Sequence, residues 1–141
     1  MDIQNFPKVT VILRGYTYTQ IRAVVKNLVG SRLRSVEITM NTPGALEAIE
    51  KISQEFQESI LVGAGTVLTY EEAQASIAAG AAFLLSPTML DKKILDLCRE
   101  KKIISVPGAF SPTEIKKSFE DGADIVKVFP AARLGSRYLS D

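Results

Sequence analysis

A lysine stands in the middle of the apolar stretch Asp124-Ile-Val-Lys-Val-Phe-Pro-Ala-Ala132, among β-branched and aromatic neighbours. Such a run reads as a strand buried on both faces. Burying a protonated amine is costly unless it is paired, and the usual response is a lowered pKa. A neutral amine near pH 7 is a nucleophile, and the chemistry that calls for one is Schiff-base formation on a carbonyl. Lys127 is therefore a candidate nucleophile. A second placement fits an isolated Val-Lys-Val at least as well: an exposed edge strand, or a side chain snorkelling past a strand end. Buried lysines are rare, so this segment alone favours the second placement. The elements around it decide between the two.

The pattern predicts strands over Lys8–Leu13, Ser35–Thr39, Ile60–Thr66, Ala81–Ser86 and Ile103–Val106, with the lysine stretch as the sixth. Between them lie amphipathic helices. One runs from Thr17 with Ile21, Val24, Val25 and Leu28 at helical spacing, and another carries Leu46, Ile49, Ile52 and Phe56. Further helices span about Tyr70 to Ala79, Asp91 to Lys101, and a stretch opened by Ser111 as cap with Pro112 at the first helical position. Gly80-Ala-Ala-Phe and Gly122-Ala-Asp-Ile look alike, each a left-handed glycine stop feeding a buried strand. Pro87 and the pair Pro107-Gly108 end the fourth and fifth strands. The repeat of about 20 to 27 residues matches βα units and a parallel sheet covered by helices. Length alone favours an open doubly wound sheet, since a closed (β/α)8 barrel usually exceeds about 200 residues.

The side chains argue for the barrel. Strand residues alternate, so Thr10, Ile12 and Arg14 share a face, as do Glu37 and Thr39, and Ile125, Lys127 and Phe129. One face thus carries Arg14, Glu37 and Lys127 near the C-terminal ends of three strands. A doubly wound sheet would leave these groups unpaired beneath apolar helices, whereas a barrel gathers them at its mouth. Arg14 would help hold Lys127 neutral and attract an anion, and Glu37 could move protons. A strand-end charge meeting water, for Glu37, and a structural ion-pair partner, for Arg14, remain open at this point.

Composition excludes several classes. The 141 residues, 46% hydrophobic and 23% charged, fit one soluble globular domain, and a net charge of +1 points to neither nucleic acid nor an anionic membrane. The pairs Lys92-Lys93, Lys101-Lys102 and Lys116-Lys117 read as solvated helix faces. No apolar run approaches a membrane span, and MDIQNFPK has no signal-peptide layout. With no histidine and one cysteine, a metal site or a histidine-dependent triad is not expected. Cys98, in a helical pattern with Ile94, Leu95 and Leu97, reads as a core residue, in keeping with a reducing cytoplasm.

Five segments together carry a resemblance: Val36-Glu-Ile-Thr39, Val62-Gly-Ala-Gly-Thr-Val-Leu68, Phe83-Leu-Leu-Ser-Pro87, Val106-Pro-Gly108 and Val126-Lys-Val-Phe-Pro-Ala131. In order and at matching intervals, from Val9 to the end, the chain resembles the 2-keto-3-deoxy-6-phosphogluconate (KDPG) / 4-hydroxy-2-oxoglutarate aldolase family of class I aldolases. The resemblance implies a parallel (β/α)8 TIM-barrel fold and a cofactor-free lyase that cleaves a small 2-keto acid to pyruvate and an aldehyde. By its motifs Lys127 matches the Schiff-base lysine and Glu37 the general acid/base. Thr66 matches the residue that binds the pyruvate carboxylate and Arg14 a substrate-binding arginine, while Pro87 and Phe129 line the pocket. It further implies a role in carbohydrate metabolism of the Entner-Doudoroff kind, and a homotrimer.

Two departures qualify this. Many members carry an arginine four residues after the glutamate; here Asn41 stands there, so altered carboxylate binding is expected. The family barrel also continues through two more strands whose turns bind the substrate phosphate, and this chain stops at Asp141, in the sixth βα connection. Residues 1–141 are therefore expected to form a single, incomplete barrel domain of about six βα units. Two other readings follow: a catalytically inactive fragment of such an aldolase, and a non-catalytic phosphate-binding (β/α) module.

Overall fold

A computed structural model describes residues 3–140; Met1, Asp2 and Asp141, which open and close the expected domain, lie outside the described residues. After a short 3-10 turn at Ile3–Asn5, strands and helices alternate: β1 (Thr10–Leu13), α1 (Tyr18–Leu28), β2 (Ser35–Thr39), α2 (Ala45–Phe56), β3 (Leu61–Gly65), α3 (Tyr70–Ala78) and β4 (Phe83–Leu85). Then come α4 (Lys92–Lys101), β5 (Ile104–Val106), β6 (Gly108–Ala109), α5 (Pro112–Glu120), β7 (Lys127–Val128) and α6 (Ala131–Ser140), the last broken at Gly135. The sequence pattern had not shown α6.

β1 to β5 pair in parallel in chain order, and β6 pairs in parallel with β7. The order never reverses, so there is no switch point of the doubly wound kind. Consecutive parallel neighbours in chain order are instead the arrangement of barrel strands, and among the described residues the barrel is not closed. The fifth strand ends at Val106, as the Pro107-Gly108 pair predicts, but the extended chain resumes at once as β6. Pro107 has no N–H and interrupts the ladder, but its carbonyl accepts from the Lys127 N–H at 2.9 Å. Ile125 N–H donates to the Ser105 carbonyl at 3.1 Å and Phe129 N–H to that of Ala109 at 2.9 Å. β5 and β6 thus act as one interrupted strand, and β7 takes the sixth position around the barrel.

Two apolar layers hold the sheet. Outside, Val36, Ile38, Ile49, Ile52, Val62 and Leu84 are buried between strands and helices. Inside, Phe83, Ile104 and Val106 pack with Leu61, Leu85 and Ile125. Phe6 meets Phe83 edge-on, with centroids 5.3 Å apart, and packs against this inner layer. Helix starts are chemically marked: Ser111 accepts from the Glu114 N–H, and the Glu114 carboxylate accepts from the Ser111 N–H in return. The same reciprocal caps occur at Thr17/Gln20 and Thr69/Glu72. Gly80 and Gly122 have φ of 95° and 101°, the left-handed stops expected before β4 and β7.

The expectation that the lysine stretch is buried on both faces is not met. Lys127 and Val128, the two residues in strand register, are both half-buried, and among the described residues β7 has a strand neighbour on one side alone. What fastens this stretch is Asp124, whose carboxylate accepts from the N–H and the hydroxyl of Ser105, each at 2.8 Å. Hydrogen bonds to a charged group contribute about 1.5–3 kcal/mol. Asp124→Ala is therefore expected to lower stability by about 2 kcal/mol, seen as a lower denaturant midpoint with an unchanged slope.

Candidate active site

Glu37, on β2, stands level with Ile12 of β1 and Gly63 of β3 on the inner face of the sheet. It is 1% exposed, and its Oε2 has no hydrogen-bond partner among the described residues. Its carboxyl leans over β3, where two glycines leave the backbone bare. A Cβ on Gly65 would lie 1.6 Å from Glu37 Oε1, and one on Gly63 would lie 2.4 Å from the Phe83 ring. Side chains of the flanking strands β2 and β4 thus share the space above β3.

Burial pushes the Glu37 carboxyl above its ordinary pKa, while the positive charges of Lys127 and Arg14 pull it part of the way back. Lys127 shows the reverse: burial lowers its pKa, the Glu37 charge opposes this, and Arg14 lowers it further. The three groups that alternation put on one face therefore lie close enough to influence one another's charge. The Lys127 ammonium stands 4.6 Å from the centroid of the Phe129 ring, within cation–π range. So both placements weighed for Lys127 hold in part. It is on an edge strand, yet its amine is drawn in beside Glu37.

Arg14, exposed just past β1, donates from Nη2 to the Thr66 hydroxyl at 3.2 Å. Thr66 follows β3 with φ of 54°, a left-handed conformation rare for a β-branched residue that costs about 1–3 kcal/mol. Strain of this kind collects at functional turns. Nearby, Gly15 N–H donates to the Thr42 hydroxyl at 2.9 Å, and Thr42 bonds Thr39 at 3.0 Å, tying the turns after β1 and β2 together. Asn41 is exposed in the second of these turns, and among the described residues no side-chain hydrogen bond or ion pair joins it to Glu37, Lys127, Arg14 or Thr66. Pro87 and Phe129, with Thr88, Met89, Gly108 and Phe110, line a cleft of about 160 Å³, and the Phe129 ring is also the one the Lys127 ammonium faces. Gly108 is needed there, because a Cβ would come within 2.4 Å of the Pro87 carbonyl.

A larger cleft, of about 770 Å³, opens at the opposite end of the strands beside Phe6, Lys8, Arg32 and Arg34, and none of the site residues lines it. Barrel chemistry belongs at the other end, where the polar groups converge. Among the described residues no group of three His, Cys, Asp or Glu side chains could hold a metal ion. Cys98 is fully buried and its thiol is pushed up to about 12, which agrees with a core role. Among the described residues no helix is long and apolar enough to cross a membrane. Sequence reasoning missed the bare backbone at Gly63 and Gly65, the left-handed Thr66 and the Thr42 tie. Only the spacing of the two glycines in Gly-Ala-Gly was a usable signal, since residues two apart in a strand share a face.

An open parallel (β/α) barrel with a lysine, a buried carboxylate and an arginine at the C-terminal strand ends defines the class. The family model for KDPG and KHG aldolase matches residues 3–139, and the chain belongs to that family. It is 41% identical over 112 residues to the 2-dehydro-3-deoxy-phosphogluconate aldolase of Treponema pallidum, an alignment covering 79% of this chain and 52% of that one. A solved structure of native KDPGal superposes with a TM-score of 0.90 at 28% identity, over 99% of this chain and 67% of the other. The KDPG aldolase of Legionella pneumophila, with pyruvate captured as a covalent carbinolamine, superposes at 0.79 and 27% identity, over 93% of this chain and 62% of that one. The chain thus spans about half the length of several of the curated relatives it matches.

Proposed function

We propose that this protein is a class I aldolase that cleaves KDPG, 4-hydroxy-2-oxoglutarate or both through a Schiff base on Lys127. The observation that carries the reading is the mutual charge coupling of Lys127 and Glu37 on one inner face, with Arg14 beside them. In this reading neutral Lys127 attacks the C2 ketone of a 2-keto-4-hydroxy acid, and loss of water leaves an iminium. The C3–C4 bond breaks, its electron pair passing to the iminium to form an enamine. Glu37 takes the proton of the C4 hydroxyl, directly or through a water, and the aldehyde departs. A proton returns to C3, and water hydrolyses the iminium to release pyruvate and free the amine. Thr66, held by Arg14, and the amides of its turn bind the carboxylate and orient the imine. Asn41 modulates carboxylate binding from the same mouth, and Pro87 and Phe129 shape the pocket. Residues 1–141 belong to one barrel domain, and a homotrimer in the cytoplasm completes the proposal.

The test is reduction with borohydride in the presence of pyruvate, followed by peptide mass mapping. The expected product is a reduced pyruvyl adduct on the peptide that contains Lys127. An adduct on another lysine, or none, would refute the assignment. A second reading, in which the chain forms the adduct but does not turn over by itself, is favoured by the half-exposed, edge position of β7. It expects trapping without release of aldehyde.

A further inference from the structure

Glu37 lies in a slot whose shape is set by a residue with no side chain. We propose that Gly65 is a positioning residue that fixes where the Glu37 carboxyl sits over β3, and hence its aim at the Thr66 turn. The inference rests on the aldolase reading for its kinetic consequence, though not for its geometry. A Cβ on Gly65 would stand 1.6 Å from Glu37 Oε1, 2.2 Å from Cδ and 2.4 Å from Cγ. Because three successive atoms overlap, rotating the carboxyl about its last bond cannot relieve the contact. Gly65 belongs to β3 and is not among the positive-φ glycines, so the backbone itself would accept alanine. The strand is also held in place, since the Gly65 carbonyl accepts from the Met40 N–H at 2.8 Å. On the adjoining inner position the Phe83 ring occupies the space above Gly63. The Glu37 side chain, itself 1% exposed, therefore has little room except toward the barrel interior. Gly65→Ala would drive the carboxyl that way and away from Thr66, leaving the Lys127 amine on its own strand.

The experiment compares two reactions of pyruvate with the protein, borohydride trapping and exchange of the methyl protons with deuterium. Trapping reads the amine; exchange also needs a placed base. Gly65→Ala is expected to leave trapping measurable and to slow exchange about 100-fold, the scale of an ångström-sized misplacement of a catalytic group. Glu37→Asp should slow exchange in the parent but add little in the Gly65→Ala background, because the carboxyl is already displaced there. A purely structural role predicts losses that multiply. In parallel, carbon-13 titration of the Glu37 carboxyl reads its surroundings without any catalysis. Lys127 and Arg14 are the charges that face it. Gly65→Ala is expected to move the Glu37 titration point, because the burial of the carboxyl and its distances from these two charges all change. Unchanged exchange, multiplying losses or an unmoved titration would each overturn the proposal. A parent protein that traps no pyruvate would refute the aldolase reading, and the titration alone would then decide the role of Gly65.

Discussion

Lys127→Ala is expected to abolish borohydride trapping of pyruvate and to cut aldol cleavage by at least about 10⁴-fold, the scale seen when a covalent nucleophile is removed. The fold should survive the change. Lys127 holds its place in β7 through backbone hydrogen bonds, its N–H to the Pro107 carbonyl among them, and these do not depend on the side chain. A thermal melt close to that of the parent would separate loss of chemistry from loss of structure. The variant has a second readout. The Lys127 charge pulls the Glu37 carboxyl down, so removing it leaves burial opposed by Arg14 alone. The Glu37 titration is thus expected to move further up in Lys127→Ala. If it stays where it was, the two groups do not share a site, and the assignment of both fails together.

Glu37→Gln separates proton transfer from imine formation. Trapping should persist, because the amine remains on its own strand, while turnover falls by about 10² to 10⁴-fold, the range for general acid–base catalysis. The same substitution should stabilise the protein near neutral pH. Glu37 is buried, with one oxygen unpartnered, and its pKa in the folded state lies above the ordinary value. A carboxyl raised in this way contributes stability that is fully present below its unfolded pKa and is lost as pH rises through the folded one. At neutral pH the parent therefore carries the cost of a buried charge, which a neutral glutamine does not. The gain in melting temperature should shrink on acidification and vanish once the glutamate is protonated in both states. A variant less stable than the parent at neutral pH would show that the carboxylate is well solvated, contrary to the buried setting found here. The pair of results expected, more stability with less turnover, is the trade-off common at sites built for chemistry.

Local chemistry made much of the scaffold legible. Ser111-Pro112 opens α5, Gly80 and Gly122 close helices in the left-handed region, and β-branched runs mark the strands. These signals are strong because each is a demand of one backbone segment on its own residues. Alternation likewise put Arg14, Glu37 and Lys127 on one face before any strand order was known. What alternation could not supply was depth. β7 is a two-residue, half-buried edge rather than a fully buried strand, because burial depends on neighbours far away in the chain. The resumption of the strand at Gly108 was equally hidden, since a proline reads as a stop unless another strand bonds to its carbonyl, as Lys127 does.

The amino-acid sequence by itself determined the parallel βα order, the family and the identities of the groups that could do chemistry, Lys127, Glu37, Arg14 and Thr66. Only the tertiary structure decided how those groups are tuned. The raised Glu37 and lowered Lys127 pKa values, the left-handed turn at Thr66 and the slot over Gly65 depend on residues that β1, β2, β3 and β7 contribute from separate parts of the chain. The physical reason is that strand pattern is a short-range property, whereas desolvation, charge coupling and steric clearance are sums over whatever the fold brings near.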